Sequence, residues 1–108
     1  MAAAPVKAAA PAVDSAKERR RERARKRAGI QGEKRRAEQR VAEWEKKIAD
    51  SEARRDELAA QMSGGGKIDF EAVNRELAEV QQTIDRAMEE WEAAAWDLNE
   101  IIRRFEEE

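Results

Sequence analysis

FEAVNRELAEVQQTIDRAMEEWEAAAWDLNEIIRRF, residues 70–105, places an apolar residue at every third or fourth position without one slip. The series is Phe70, Val73, Leu77, Val80, Ile84, Ala87, Trp91, Ala94, Leu98, Ile101 and Phe105. A 3-4 alternation is the signature of a helix with one apolar seam, the spacing that lets it pack lengthwise on another helix. Met88, Ala95 and Ile102 widen the stripe on one side. A helix of this length cannot bury its stripe alone, so it requires a partner helix in the same chain or in another molecule.

The partner lies just upstream. From about Glu33 to Met62 the sequence favours helix throughout. Val41, Trp44, Ile48, Ser51, Arg55, Leu58 and Met62 form a second 3-4 seam, apolar at both ends and polar in the middle. Ser63-Gly64-Gly65-Gly66 ends it, because glycine readily supplies the left-handed cap and the turn. Asp69 is then a helix N-cap, with Ile68 before it and Val73 after it as a hydrophobic staple. A link of about six residues favours antiparallel neighbours. With the turn at 64–68, Trp44 falls near Met88 and Trp91, and Ile30 near Ile101 and Phe105. Lys34, Arg35 and Arg36 fall beside Glu100 and the acidic tail. Gly64-Gly65-Gly66-Lys67 is not a phosphate loop: Gln61 stands where the first glycine is needed, Ile68 follows the lysine, and no strand precedes it.

Upstream of the hairpin the composition changes twice. Residues 1–14 are Ala/Pro-rich and read as a flexible linker. Ser15-Ala16-Lys17-Glu18 fits a capping box that opens a short basic helix to about Ala28. Gly29 and Gly32 then predict a break or kink before the hairpin at 33–108, with helices at about 33–62 and 69–106. The expected fold is therefore all-α: an antiparallel two-helix coiled-coil hairpin behind a flexible, then basic, N-terminal segment.

Composition narrows the function. Charged residues make up 43% of the 108 residues and aromatics 5%, a balance suited to a long helix rather than a globular core. Cysteine, histidine and tyrosine are absent, which removes thiolate metal sites and the commonest general base. The abundant carboxylates have no apolar surroundings, nucleophile or ligand set with them, so they read as solvated helix face. The expectation is no enzyme, no cofactor, no metal and no small-molecule substrate. No apolar run approaches the roughly 20 residues of a membrane span, and nothing marks a secretory or transit segment. A cytoplasmic location without membrane contact follows as the default.

The net charge of −2 conceals a segregation: residues 1–62 carry 17 basic and 11 acidic side chains, residues 63–108 carry 5 and 13. Lys17, Arg19, Arg20, Arg21, Arg23, Arg25, Lys26 and Arg27 place eight cations in eleven residues, and Lys34, Arg35 and Arg36 add three. Arginine matches phosphate bidentately, and such density releases counterions from a nucleic-acid backbone. The plainer alternative is a solubilising face that pairs locally with Glu18, Glu22 and the acidic tail. Nothing in the run reads base sequence. Trp44 and Trp91 lie on the seams and read as core. Trp96 lies about 140° from the centre of its stripe. It is either a surface residue packed on neighbouring side-chain stems or a contact for a partner domain or a stacked base.

Phe70-Glu71-Ala72-Val73-Asn74-Arg75-Glu76-Leu77-Ala78-Glu79 and Met88-Glu89-Glu90-Trp91-Glu92 resemble the second helix of the C-terminal domain of ABC-F ATPases. The second stretch is similar to that family's tryptophan-glutamate motif. The likeness runs from about Glu33 to Glu107, and the composition of 1–28 is similar to the family's linker. The chain departs from the family at the turn, where Ser63-Gly64-Gly65-Gly66 replaces Asp-Pro and an aromatic, and at the entry near Gln31-Gly32. No ATPase cassette is present, so no ATP site carries over. The resemblance implies a detached or truncated copy serving as a nucleic-acid accessory module, DNA or RNA, with an ABC-type ATPase as partner. The competing expectation is a structural coiled-coil module that forms a homodimer or docks on a protein.

Overall fold

The structure, a computed structural model, describes the backbone of residues 3–107 and the side chains of residues 15–107. It contains two helices, α1 (Ala3–Ser63) and α2 (Phe70–Glu107), packed as an antiparallel hairpin. Its cross-section of 17 × 16 Å accommodates two helices, each about 10 Å across, and no third layer. The helix ends fall within one residue of those the seams predict, at Ser63 against Met62 and at Glu107 against Glu106.

The turn follows from local chemistry. Gly64 donates its N–H to the Gln61 carbonyl at 3.4 Å, and Gly65 takes φ +71°, the left-handed region that a side chain would strain. Asp69 caps α2 as expected: its carboxylate accepts the Ala72 N–H at 3.1 Å and its carbonyl accepts the Val73 N–H at 3.0 Å.

The core is one residue deep and follows the seams. Leu58, Val73, Ile84, Ala87, Ala94 and Ile101 are buried, and Val41, Trp44, Ile48, Leu77, Val80, Trp91, Leu98 and Phe105 are half-buried. Ala37 is wholly buried and was not among the seam residues read from sequence. It sits four residues before Val41, so extending the 3-4 spacing one step finds it. Its small side chain, with Ala87 and Ala94, lets the helix backbones approach closely. Phe70 departs from the seam at 53% exposure, because it opens α2 at the turn, where α1 is ending.

Three bonded residue pairs across the seam fix the register. Arg54 donates from Nε and Nη2 to Glu76 Oε1 at 2.9 and 2.6 Å, Trp91 Nε1 donates to Glu45 at 3.1 Å, and Arg104 donates to Glu33 at 3.2 Å. Each lies within about a turn and a half of the register expected. The Glu76 hydrogen bond, and then that to Glu57, raises the Arg54 guanidinium above its already basic range. All three pairs lie near the surface, so they specify pairing more than they stabilise it.

The flanks of the seam add detail to the expected register. Trp44 stands at the height of Met88 and Trp91, as expected, but opens to the other flank. It lines a groove with Thr83, Arg86 and Ala87, while Met88 and Trp91 line another with Glu45 and Ile48. The two tryptophans flank the seam on opposite sides because they project from it at different angles. Lys34, Arg35 and Arg36 do not pair with Glu100 or the tail among the described residues. Glu100 is held by Arg103 at 2.8 Å, and Lys34 reaches Glu38 at 3.9 Å. A partner three or four residues away on the same helix costs less ordering than one across the seam.

One expectation needs correction: Gly29 and Gly32 do not break the chain, and α1 runs through both. Glycine in a helix interior costs about 1 kcal/mol, which flanking helix formers offset. The basic segment 15–32 is therefore continuous with the hairpin, and Ser15 lies inside the helix rather than at its cap. Backbone from Ala3 onward is helical as well. A Cβ on Gly29 would meet nothing within 4 Å. Gly29→Ala is thus expected to stabilise the local helix by about 0.5–1 kcal/mol, read as slower amide exchange at residues 26–33.

Candidate nucleic-acid interface

Helix α1 has 61 residues and α2 has 38, about 92 and 57 Å at the usual rise. The difference appears at one end. Glu107, the last residue of α2, shares a cleft with Lys26, Gly29, Ile30, Glu33 and Arg104. Beyond that cleft α1 continues without α2 beside it among the described residues and carries Lys17, Arg19, Arg20, Arg21, Arg23 and Arg25, with Lys26 and Arg27 level with the cleft; all eight are exposed.

Going back from Ala37, the 3-4 spacing reaches Lys34, Ile30, Arg27, Arg23 and Arg20. The face that receives α2 along the hairpin thus becomes cationic where α2 stops. Arginine at these positions opposes helix–helix burial, and a second copy of the same face would set like charges opposite one another.

At 100° per residue, the eight cations spread over about 260° of the helix circumference. Glu18 and Glu22 occupy the remaining strip, one turn apart. None of the eight forms an ion pair among the described residues, and Arg23 Nε makes a long hydrogen bond to the Arg19 carbonyl, at 3.5 Å. Lys26 is the one nearest opposing charge, since it shares its cleft with Glu33 and Glu107. The arm otherwise keeps its charge available, and α1 holds it in line with the hairpin axis.

The other expected site residues are not gathered there. Arg35 and Arg36 are exposed on the hairpin itself, with Arg36 lying over Gly32, and Lys34 is half-buried. Trp96 is 67% exposed, as its angle on α2 predicts, but it lies roughly 20 Å or more along the axis from the arm. It cannot stack a base that the arm is holding at the same point. No group of three or more carboxylates able to hold a metal occurs among the described residues, and no helix among them is long and apolar enough to cross a membrane.

The chain is thus an antiparallel α-helical hairpin with a cationic, single-helix extension. No family model, curated protein or solved structure matches it.

Proposed function

We propose that the chain is a non-catalytic accessory module that binds nucleic acid through its backbone, without sequence preference. The observation that carries this reading is the basic arm: eight exposed cations within eleven residues of one helix, none in an ion pair among the described residues. Eleven residues of helix span about 16 Å, so the arm carries one cation per roughly 2 Å. Duplex DNA carries one phosphate charge per about 1.7 Å, a closely matched density. The residues quoted above as similar to ABC-F C-terminal domains support the same reading, and with it a cytoplasmic setting and an ABC-type ATPase as the larger partner.

The test is titration of the full chain with duplex and single-stranded DNA and RNA, followed by fluorescence anisotropy. Arg19→Ala, Arg20→Ala, Arg21→Ala and Arg23→Ala together are expected to weaken binding to every one of these by at least about tenfold near 0.1 M salt, with helix content nearly unchanged. Binding that survives the fourfold change would refute the arm as the interface.

A further inference from the structure

Two shallow grooves flank the seam at the same height of the hairpin, and their rims differ in sign. One, of about 270 Å³, is lined by Ile48, Ala49, Met88 and Trp91 with Glu45 and Glu52. The other, of about 230 Å³, is lined by Trp44, Thr83 and Ala87 with Lys47 and Arg86. No base lines the first and no acid lines the second. The first floor is mainly apolar, the second mixes Trp44 and Ala87 with the Thr83 hydroxyl, and both are only partly covered: Met88 is 49% exposed, and Trp44, Ile48 and Trp91 are half-buried. Lys47 and Arg86 make no ion pair among the described residues. Glu45 accepts the Trp91 Nε1–H, and Glu52 lies 3.8 Å from Arg55.

We propose that these grooves are the two halves of one interface, in which the Trp44 groove of one copy of this chain packs on the Met88–Trp91 groove of a second copy. Contact buries both floors and sets Lys47 and Arg86 against Glu45 and Glu52. Charge decides for this pairing over a symmetric one. A two-fold dimer through either groove would place glutamates against glutamates, or cations against cations. Because the grooves lie on opposite flanks, each copy keeps a free groove after pairing, so the assembly extends sideways instead of closing. A half-turn about the stacking direction keeps the grooves facing at one height and sends the cationic arms to opposite ends. Simple translation would crowd the arms together, so successive copies alternate up and down.

The test uses the full chain, without nucleic acid, in sedimentation velocity over a range of concentrations at low and high salt. Wild type is expected to form a ladder of species beyond the dimer that weakens as salt rises. Lys47→Glu with Arg86→Glu makes both flanks acidic, and Glu45→Lys with Glu52→Lys makes both basic. Each double variant alone is expected to raise the apparent dissociation constant by at least about tenfold. Mixed in equal amounts they should associate again, since acidic flanks then meet basic ones. A wild type that stays monomeric, a closed dimer as the sole product, or a double variant that associates like wild type overturns the proposal. So does a mixture that stays monomeric while circular dichroism shows both variants helical. If Glu45→Lys with Glu52→Lys loses helix, Lys47→Glu with Arg86→Glu decides by itself, because both of its positions are exposed.

Discussion

Raising the salt from about 50 to about 200 mM is expected to weaken the complex with duplex DNA by roughly a hundred- to a thousandfold. The size follows from the arm. Its eight cations lie on one helix with only Glu18 and Glu22 among them, and of the eight Lys26 alone lines the cleft with Glu107 of α2. A straight helix cannot bring its whole circumference to one duplex, so about four to six phosphates are contacted. Each contact on duplex DNA contributes roughly −0.9 to the slope of log affinity against log salt, giving roughly −3.6 to −5.4. Single strands condense fewer counterions, and the same contacts give roughly −2.8 to −4.2. The fourfold arginine-to-alanine change should flatten both slopes. Anisotropy at four or more salt concentrations measures this directly. A slope near zero would mean that the phosphates are not the ligand, and the basic run would then be a solubilising face.

Leu58→Ala is expected to destabilise the hairpin by about 2–3 kcal/mol, while Trp96→Ala should change its stability by less than about 0.5 kcal/mol. Residue size would suggest the reverse. Leu58 is 1% exposed and is the largest side chain fully enclosed, whereas the Trp96 ring is 67% exposed. The estimate for Leu58 sits at the low end of the usual range because a two-helix core is thin, and the surroundings can close partly over the gap. Even so, the loss is large for a fold whose core is one residue deep. Urea melts followed by helix signal compare the two variants. Equal costs would mean either that the packed face is misassigned or that Trp96 is buried against another molecule. Repeating the melts at tenfold lower protein concentration separates these, since only the second depends on concentration.

The helical hairpin was legible because its causes are local and repeat. An unbroken 3-4 seam on α2, a glycine turn with Gly65 at φ +71°, and an Asp69 cap each act within a few residues, so the pattern of side chains is enough to read them. The exposure of Trp96 follows from its angle on the helix, and the burial of Ala37 from one more step of the spacing. The basic arm was legible as composition and, from the hairpin register, as lying toward the far end of α2; its unbroken continuity with α1 was not. Two glycines in a helix interior are a cost of a kilocalorie or so each, and sequence alone does not say whether neighbours offset it.

By itself, then, the sequence determined two antiparallel helices, where they turn, which stripe each buries, and that cations collect at one end. Those properties depend on periodicity and on residue chemistry close in the chain. Only the tertiary structure decided that α1 is continuous through Gly29 and Gly32, and that α2 stops level with Ile30 and Glu33. It also placed Trp44 and Trp91 on opposite flanks and gave those flanks rims of opposite charge. These features depend on how far one helix is slid and rotated against the other. A shift of a single residue rotates every side chain by 100° and would exchange what lies on the seam for what lies beside it.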